Sequence, residues 1–348
     1  MTQITQEESN ILRQLSPRRI IIPTLLGLGI TAYLFYTSVD FDTLLPSLSK
    51  ASGVWIVLAL LTLFIRDGFY IYRIRYLTQK ELTWTGSFYT IMLWEFSSAI
   101  SPSAVGGTAL ASLLLTKEGI PFGKSLAYVM VSAVLDNLFF VIVGGVVLAL
   151  HWSRVYPVAL FPTVEGFAVQ NLFLVAYFSV AAYNFLMMYG LFYKPEAIRW
   201  LFIKGTSWGW MKRFQAAAQK QGDELVIASA ALKNVGLGYW MRAIGATFAV
   251  WTSRYLIVNC LLAAFVGLAF TDHLLIFSRH VLLWVILLIG FTPGAAGFAE
   301  ISFQAFFGNY TEGIVAITIV ALMWRIVTYY PYLITGAIFL PRWLKRVY

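Results

Sequence analysis

The sequence predicts an all-α polytopic membrane protein, with about six full transmembrane helices plus two opposed re-entrant helical hairpins in an inverted repeat. Three observations lead there. The 348 residues are 59% hydrophobic and only 12% charged, with a mean hydropathy of +0.75, whereas a soluble chain is roughly a quarter charged. Apolar runs of the length needed to cross a hydrocarbon core of about 30 Å recur along the whole chain. Two further apolar runs are broken by proline and glycine at matching places.

The elements follow in order. A polar, basic stretch to Arg19 precedes an apolar run over about 20–38, which ends without an A-x-A site and is read as an uncleaved first span. Further spans are expected over about 53–72, 122–150, 166–193, 242–270 and 313–340. The interrupted segments are 86–116 and 278–307. The chain reads as one transmembrane domain, with halves of about 15–150 and 166–345. Residues 194–240 mix basic side chains with Trp200, Trp208, Trp210 and Phe214, a pattern suited to amphipathic helices on the inner membrane surface. Cys260 is the single cysteine, so a disulfide framework is excluded, and the three histidines have no metal-ligand spacing. No cofactor is expected.

Orientation comes from the basic residues. Of the 25 Lys and Arg, three (Lys50, Arg154, Arg279) fall on one side, two (Arg254, Arg325) fall within spans, and the remaining twenty fall on the other side. That asymmetry puts both termini and residues 194–240 in the cytoplasm of a bacterial inner membrane. The net charge of +9 accordingly reads as topology signals and contacts with anionic inner-leaflet lipids, not as a nucleic-acid surface.

Ser101-Pro102-Ser103-Ala104-Val105-Gly106-Gly107 aligns with Thr292-Pro293-Gly294-Ala295-Ala296-Gly297-Phe298. Each break follows two spans and precedes one, so the halves repeat with opposite orientation, as in secondary transporters built on broken helices. Proline stops each helix, and arms of about 13–15 residues rise only roughly 20 Å. Each segment therefore reads as a hairpin that turns inside the membrane. The alternative, two pairs of short full spans with proline kinks, leaves the charge count unchanged. Ser or Thr before Pro is read as an N-cap, which would leave free N–H groups near mid-membrane for an anion. Gly106, Gly107, Gly294 and Gly297 would let backbone approach closely.

Ionisable groups inside spans usually line a pathway or pair with one another. The candidates are Glu95, Asp136, Arg254, Glu300 and Arg325, with Ser132 sharing a helix face with Asp136, Gly297 and Gln304 with Glu300, and Thr328 and Tyr332 with Arg325. Arg66 and Asp67 sit near the inner end of their span and are expected to snorkel or pair locally. A purely structural role for all these charges, locking the bundle, is the competing reading.

Three stretches together resemble the lysylphosphatidylglycerol synthase transmembrane-region, or flippase-like, family. They are P-S-A-V-G-G at Pro102–Gly107, T-P-G-A-A-G-F-A-E at Thr292–Glu300, and the run from Arg325 to Pro331. Members usually carry Glu and Arg after the first Gly-Gly, where this chain has Thr108, Ala109 and Leu110, and often an Arg beside the Asp, where it has Asn137. The resemblance implies lipid translocation between leaflets. Family synthases add a soluble aminoacyl-transfer domain. This chain ends eight residues after Leu340 and is expected to be a stand-alone member without enzyme activity.

The combined expectation is a transporter of a phospholipid or other lipid-linked substrate. An anionic or zwitterionic headgroup would lie between the tips, its phosphate neutralised by Arg254 and Arg325 and hydrogen-bonded by Ser101, Ser103 and Thr292. Glu95 or Glu300 would supply a proton-linked or amine-binding carboxylate. A proton-coupled carrier of a small soluble anion, an intramembrane enzyme on lipid-linked substrates and a non-transporting scaffold are the rivals. Homo-oligomerisation is compatible with all of them. In a Cys260→Ser background, Leu160→Cys should label from outside intact cells and Lys220→Cys only in inverted vesicles. The reverse pattern would invert the topology.

Overall fold

The computed structural model describes residues 51–101, 104–152, 154–156, 166–287, 293–311 and 314–347, with a few single positions before 51. The expected first span over 20–38 lies almost wholly outside the described residues. So do Ser103 and Thr292. Every element in the described chain is helical: α1 (Gly53–Leu77), α2 (Trp84–Ile100), α3 (Ala104–Lys117), α4 (Phe122–His151), α5 (Gly166–Met188), α6 (Pro195–Thr206), α7 (Gln215–Lys233), α8 (Leu237–Ala263), α9 (Phe270–Leu287), α10 (Phe298–Phe307), α11 (Ile314–Thr328) and α12 (Tyr330–Val347). Short 3-10 turns stand at Gly209–Phe214, Pro293–Ala295 and Gly308–Tyr310, and α5 runs on into a π-turn at Tyr189–Tyr193.

Among the described residues six helices are long and apolar enough to cross a membrane: 53–77, 122–151, 173–193, 237–263, 270–287 and 315–347. Five match expected spans. The other, α9, was expected to be a short hairpin arm, but its 18 residues reach about 27 Å at 1.5 Å per residue. The difference arises because α8 stops at Ala263 instead of running on to Phe270. The Asp272 carboxylate accepts the Ala269 N–H at 2.9 Å and starts a new helix there, as an acidic group in a first turn does.

α1 and α8 form the central antiparallel pair. Ser52 N–H donates to Ala264 O at 2.7 Å at one end, and Tyr239 Oη donates to Leu77 O at 2.8 Å at the other. Around this pair the two interrupted segments fold back on themselves. The start of α2 lies beside the end of α3, because a Cβ on Gly86 would meet the Glu118 carboxylate. In the second segment Arg279, midway along α9, donates to Phe306 O at 2.9 Å near the end of α10, and to Arg154 O just past α4. The outer ends of α2 and α3 lie on the side of the end of α1, where Glu81 meets Lys124. The start of α9 lies beside the start of α1, where the Trp55 and His273 rings are 5.7 Å apart.

Residues 194–240 fold into α6, the 3-10 turn and α7, held by Arg199–Asp223 at 2.6 Å and by Gly123 N–H donating to Glu224 Oε2 at 2.9 Å. Trp200, Leu201 and Trp208 remain exposed on it. Val54, Phe64, Phe178 and Phe185 are likewise exposed on α1 and α5, as side chains that face lipid are.

Close packing of α12 on α2 requires Gly336. A Cβ there would fall on the Phe96 ring, whereas one on Gly245 would meet nothing within 4 Å. Gly336→Ala should therefore destabilise the fold by about 1–3 kcal/mol through overpacking. Gly245→Ala should be neutral or stabilising by up to about 1 kcal/mol, since alanine is the better helix former. Unfolding midpoints of the two variants in detergent micelles check this, and equal effects would contradict the packing.

Candidate functional site

Arg66, Tyr70 and Arg73 are four and three residues apart on α1, which places them on one helical face. Both arginines are buried, at 2% and 1% exposure. This corrects the expectation that they sit in or beside an inner loop, and the twenty inner basic residues become eighteen without them. α1 continues to Leu77, five residues beyond the expected end of the span, and carries both side chains into the bundle. There each finds a carboxylate on another helix, the condition for burying a charge.

Arg66 Nη2 lies 2.5 Å from Glu95 Oε1 on α2, and Nη1 lies 3.0 Å from Asp67 Oδ1 and donates to Tyr332 Oη. Tyr332 Oη in turn donates to both Asp67 oxygens, at 2.8 and 3.0 Å. Arg73 donates to Asp136 at 2.5 and 3.2 Å, to Ser132 Oγ at 2.8 Å and to Thr247 Oγ1 at 3.0 Å. Trp251 Nε1 completes the Asp136 shell at 2.7 Å. The Tyr70 ring lies between the two guanidinium groups, 5.2 Å from Arg66 Cζ and 4.8 Å from Arg73 Cζ, within cation–π range.

Arg254 on α8 extends the first group. Its Nη1 is 3.9 Å from Glu95 Oε1, and its Cζ lies 5.3 Å from the Trp251 ring centre. Arg254, Glu95, Arg66 and Asp67 therefore form a chain of alternating charge. The side chains of Arg254, Glu95 and Asp67 are 31, 16 and 18% exposed, while that of Arg66 is 2% exposed. The two ends are reachable, and the Arg66 link between them is sealed.

Arg325 and Glu300 meet elsewhere, at the second break. Arg325 Nε is 3.0 Å from Glu300 Oε1, and Arg325 Nη2 donates to Gly294 O at 2.9 Å. Its guanidinium lies over Tyr329, 4.1 Å from the ring centre. Tyr329 fills the space that a Gly294 side chain would take and donates to Ala99 O at 3.3 Å near the end of α2. One phenol thus touches both breaks.

The backbone at the breaks departs from the N-cap expectation. Ser101 is extended (φ −81°, ψ 139°) and ends α2, its N–H donating to Ser97 O. The next described helix runs Ala104–Lys117, and Gly106 and Gly107 lie in its first turn. At the second break Pro293 opens a 3-10 turn instead of the helix. Left-handed φ at Gly294 (58°), Ala295 (51°) and Gly297 (82°) turns the chain before α10 begins at Phe298. Glycine tolerates such φ at little cost. Gly297 N–H donates to Glu300 Oε2 at 2.7 Å, so at the start of α10 the chain supplies its own anion.

Of the predicted companions, Ser132 shares Arg73 with Asp136 and Gly297 bonds Glu300. Gln304 instead donates to Thr318 Oγ1, Thr328 to Trp324 O, and Tyr332 reaches Asp67 instead of Arg325. Arg73, Tyr329 and Trp251 were missed by sequence reasoning. Arg66 was expected to snorkel or pair locally, and it does pair with Asp67 at 3.0 Å, but its link to Glu95 was not foreseen. The four-then-three spacing of Arg66, Tyr70 and Arg73 was the signal that could have placed both arginines on one inward face.

Beyond Trp251 lies a shallow apolar groove between α4, α5 and α9, with a cavity volume of about 30 Å³, lined by Gly144, Leu148, Phe173, Tyr177 and Val285 among others. Its inner wall is Phe140 stacked on Trp284 at 3.9 Å, with Trp251 edge-on to Phe140 at 4.7 Å.

A family model described as the lysylphosphatidylglycerol synthase TM region matches residues 20–336. A UPF0104 membrane protein of Archaeoglobus fulgidus is 22% identical over 274 residues, 77% of this chain and 76% of that protein.

Glu300→Gln should leave the Arg325 charge buried without its counter-ion and cost about 3 kcal/mol or more. Glu300→Gln with Arg325→Gln should recover a large part of that loss. A double-mutant cycle on unfolding midpoints in micelles checks the coupling, and strictly additive losses would show that the pair is energetically idle.

Proposed function

We propose that this chain, which belongs to the lysylphosphatidylglycerol synthase TM-region family, moves a phospholipid or other lipid-linked substrate between the leaflets of a plasma membrane. The observation that carries the reading is the part-exposed chain Arg254–Glu95–Arg66–Asp67, set among apolar helices. Charge at that depth is costly and is usually retained where a polar group must pass. In this reading the two hairpins enter from opposite faces of the bilayer and turn inside it. Both termini and α6–α7 lie on the cytoplasmic side, where basic residues predominate and contact anionic lipid.

The apolar groove favours a lipid over a soluble anion. It is lined by α4, α5 and α9, and Trp251 links its Phe140 and Trp284 wall to Asp136 and Arg254. Its apolar lining suits part of a hydrocarbon tail and offers a charged solute little.

The candidate residues then divide by role. Arg254 receives the phosphate, and Glu95 and Asp67 balance it and the sealed Arg66. Asp136 holds Arg73 in place below. Arg325, Glu300, Gly294 and Gly297 shape the second tip. Ser101, Gly106 and Gly107 belong to the first break, and the hydrogen-bonding role expected of Ser103 and Thr292 falls outside the described residues.

Arg254→Ala should slow leaflet exchange of acyl-labelled phospholipid in reconstituted vesicles by about tenfold or more, because a charged hydrogen bond is worth about 1.5–3 kcal/mol. Arg254→Lys should recover part of the rate, since an ammonium lacks the planar fork that matches phosphate. Wild-type exchange in Arg254→Ala would remove the role given to it. Exchange no faster than in protein-free vesicles for the wild-type protein would remove the carrier reading itself.

A further inference from the structure

We infer that the alternating charge chain selects a zwitterionic headgroup, with its phosphate on Arg254 and its ammonium on Asp67. The inference rests on the lipid-carrier reading and names its substrate class.

Charge balance is the first reason. In the chain Arg254–Glu95–Arg66–Asp67 two guanidinium groups are matched by two carboxylates. The site is electrically neutral before anything binds. A headgroup with net negative charge would bring an uncompensated unit into a low-dielectric interior, where unpaired charge is heavily penalised. A headgroup carrying both signs adds two ion pairs and no net charge.

The second reason is which groups are left open. The inner pair is tight, with Arg66 and Glu95 at 2.5 Å. At one end Arg254 is 3.9 Å from its carboxylate, beyond hydrogen-bond reach, so its donors are available to a phosphoryl oxygen. At the other end Tyr332 holds Asp67 by both oxygens. A carboxylate still has lone pairs to spare in that arrangement for an ammonium that donates to it. The open ends thus differ in sign.

A primary ammonium fits Asp67 better than a quaternary one, because it can donate hydrogen bonds to the carboxylate as well as balance its charge. The ligand class is therefore phosphoethanolamine-like, either on a diacyl lipid or free in solution.

The test uses the full chain in detergent micelles and reads the unfolding midpoint against concentration of glycerophosphoethanolamine, glycerophosphoglycerol, inorganic phosphate and ethanolamine. Glycerophosphoethanolamine should act at a concentration about tenfold or more below the others, the factor set by one charged hydrogen bond. Asp67→Asn should remove that preference, Asp67→Glu should restore it in part, and Arg254→Gln should abolish the response to both glycerophosphodiesters. Equal responses to the two glycerophosphodiesters, or an unchanged preference in folded Asp67→Asn, would overturn the inference. Vesicles with acyl-labelled phosphatidylethanolamine or phosphatidylglycerol separate the two levels. Faster exchange of phosphatidylglycerol would overturn the headgroup assignment and leave lipid movement standing. Exchange of neither lipid, with the micelle preference intact, would support the site for a free ligand and defeat the carrier reading.

Discussion

A guanidinium buried among apolar helices must have a carboxylate beside it, and this requirement sets how the bundle is assembled. In a bilayer, apolar surface gives no drive for one helix to choose another, so packing and polar contacts must do so. Here each arginine chooses. Arg66 and Arg254 bring α1 and α8 onto α2 through Glu95, Arg73 brings α1 onto α4 through Asp136, and Arg325 brings α11 onto α10 through Glu300. A helix displaced by one turn, about 5.4 Å, would strand a charge in each case. Register is thereby specified where side-chain shape alone would allow sliding.

Much of this was legible in the sequence, for physical reasons. Apolar length reports directly on crossing, so the run over 122–150 and helix Phe122–His151 agree closely. A lone Glu or Arg inside such a run is conspicuous, so Glu95, Arg254, Glu300 and Arg325 were visible. Arg66 and Arg73 were not, because a basic residue near the end of a span looks the same whether it leaves the membrane or turns inward. What decides is Asp136, 63 residues away on another helix, and pairwise distance of that kind leaves no local trace. The start of α9 was missed for a different reason. The signal was a single side chain, Asp272, capping a residue three positions earlier inside a region that otherwise reads as continuous and apolar.

The two breaks look alike as sequence but differ in what they offer a ligand. A helix start near mid-membrane is an attractive place for an anion, and the Thr-Pro-Gly pattern suggested one. The positive φ values at Gly294, Ala295 and Gly297 delay the helix, and the Glu300 carboxylate then accepts the Gly297 N–H. The second break is therefore electrostatically closed by its own chain. The open positive group in the bundle is Arg254, on a helix with no break at all, and the glycine motif is better understood as what lets Tyr329 and Arg325 approach the backbone.

The α1–α8 pair has a mechanical consequence. It is fastened at both extremities, by the Ser52–Ala264 bond and the Tyr239–Leu77 bond. The two breaks are joined more lightly, through the Tyr329 phenol and the Ala99 carbonyl at 3.3 Å. Arg66 and Arg254 are both carried by the fastened pair, and Glu95 reaches them from α2 at 2.5 and 3.9 Å. Any displacement of α2 against that pair is therefore written directly into the Arg254–Glu95 separation.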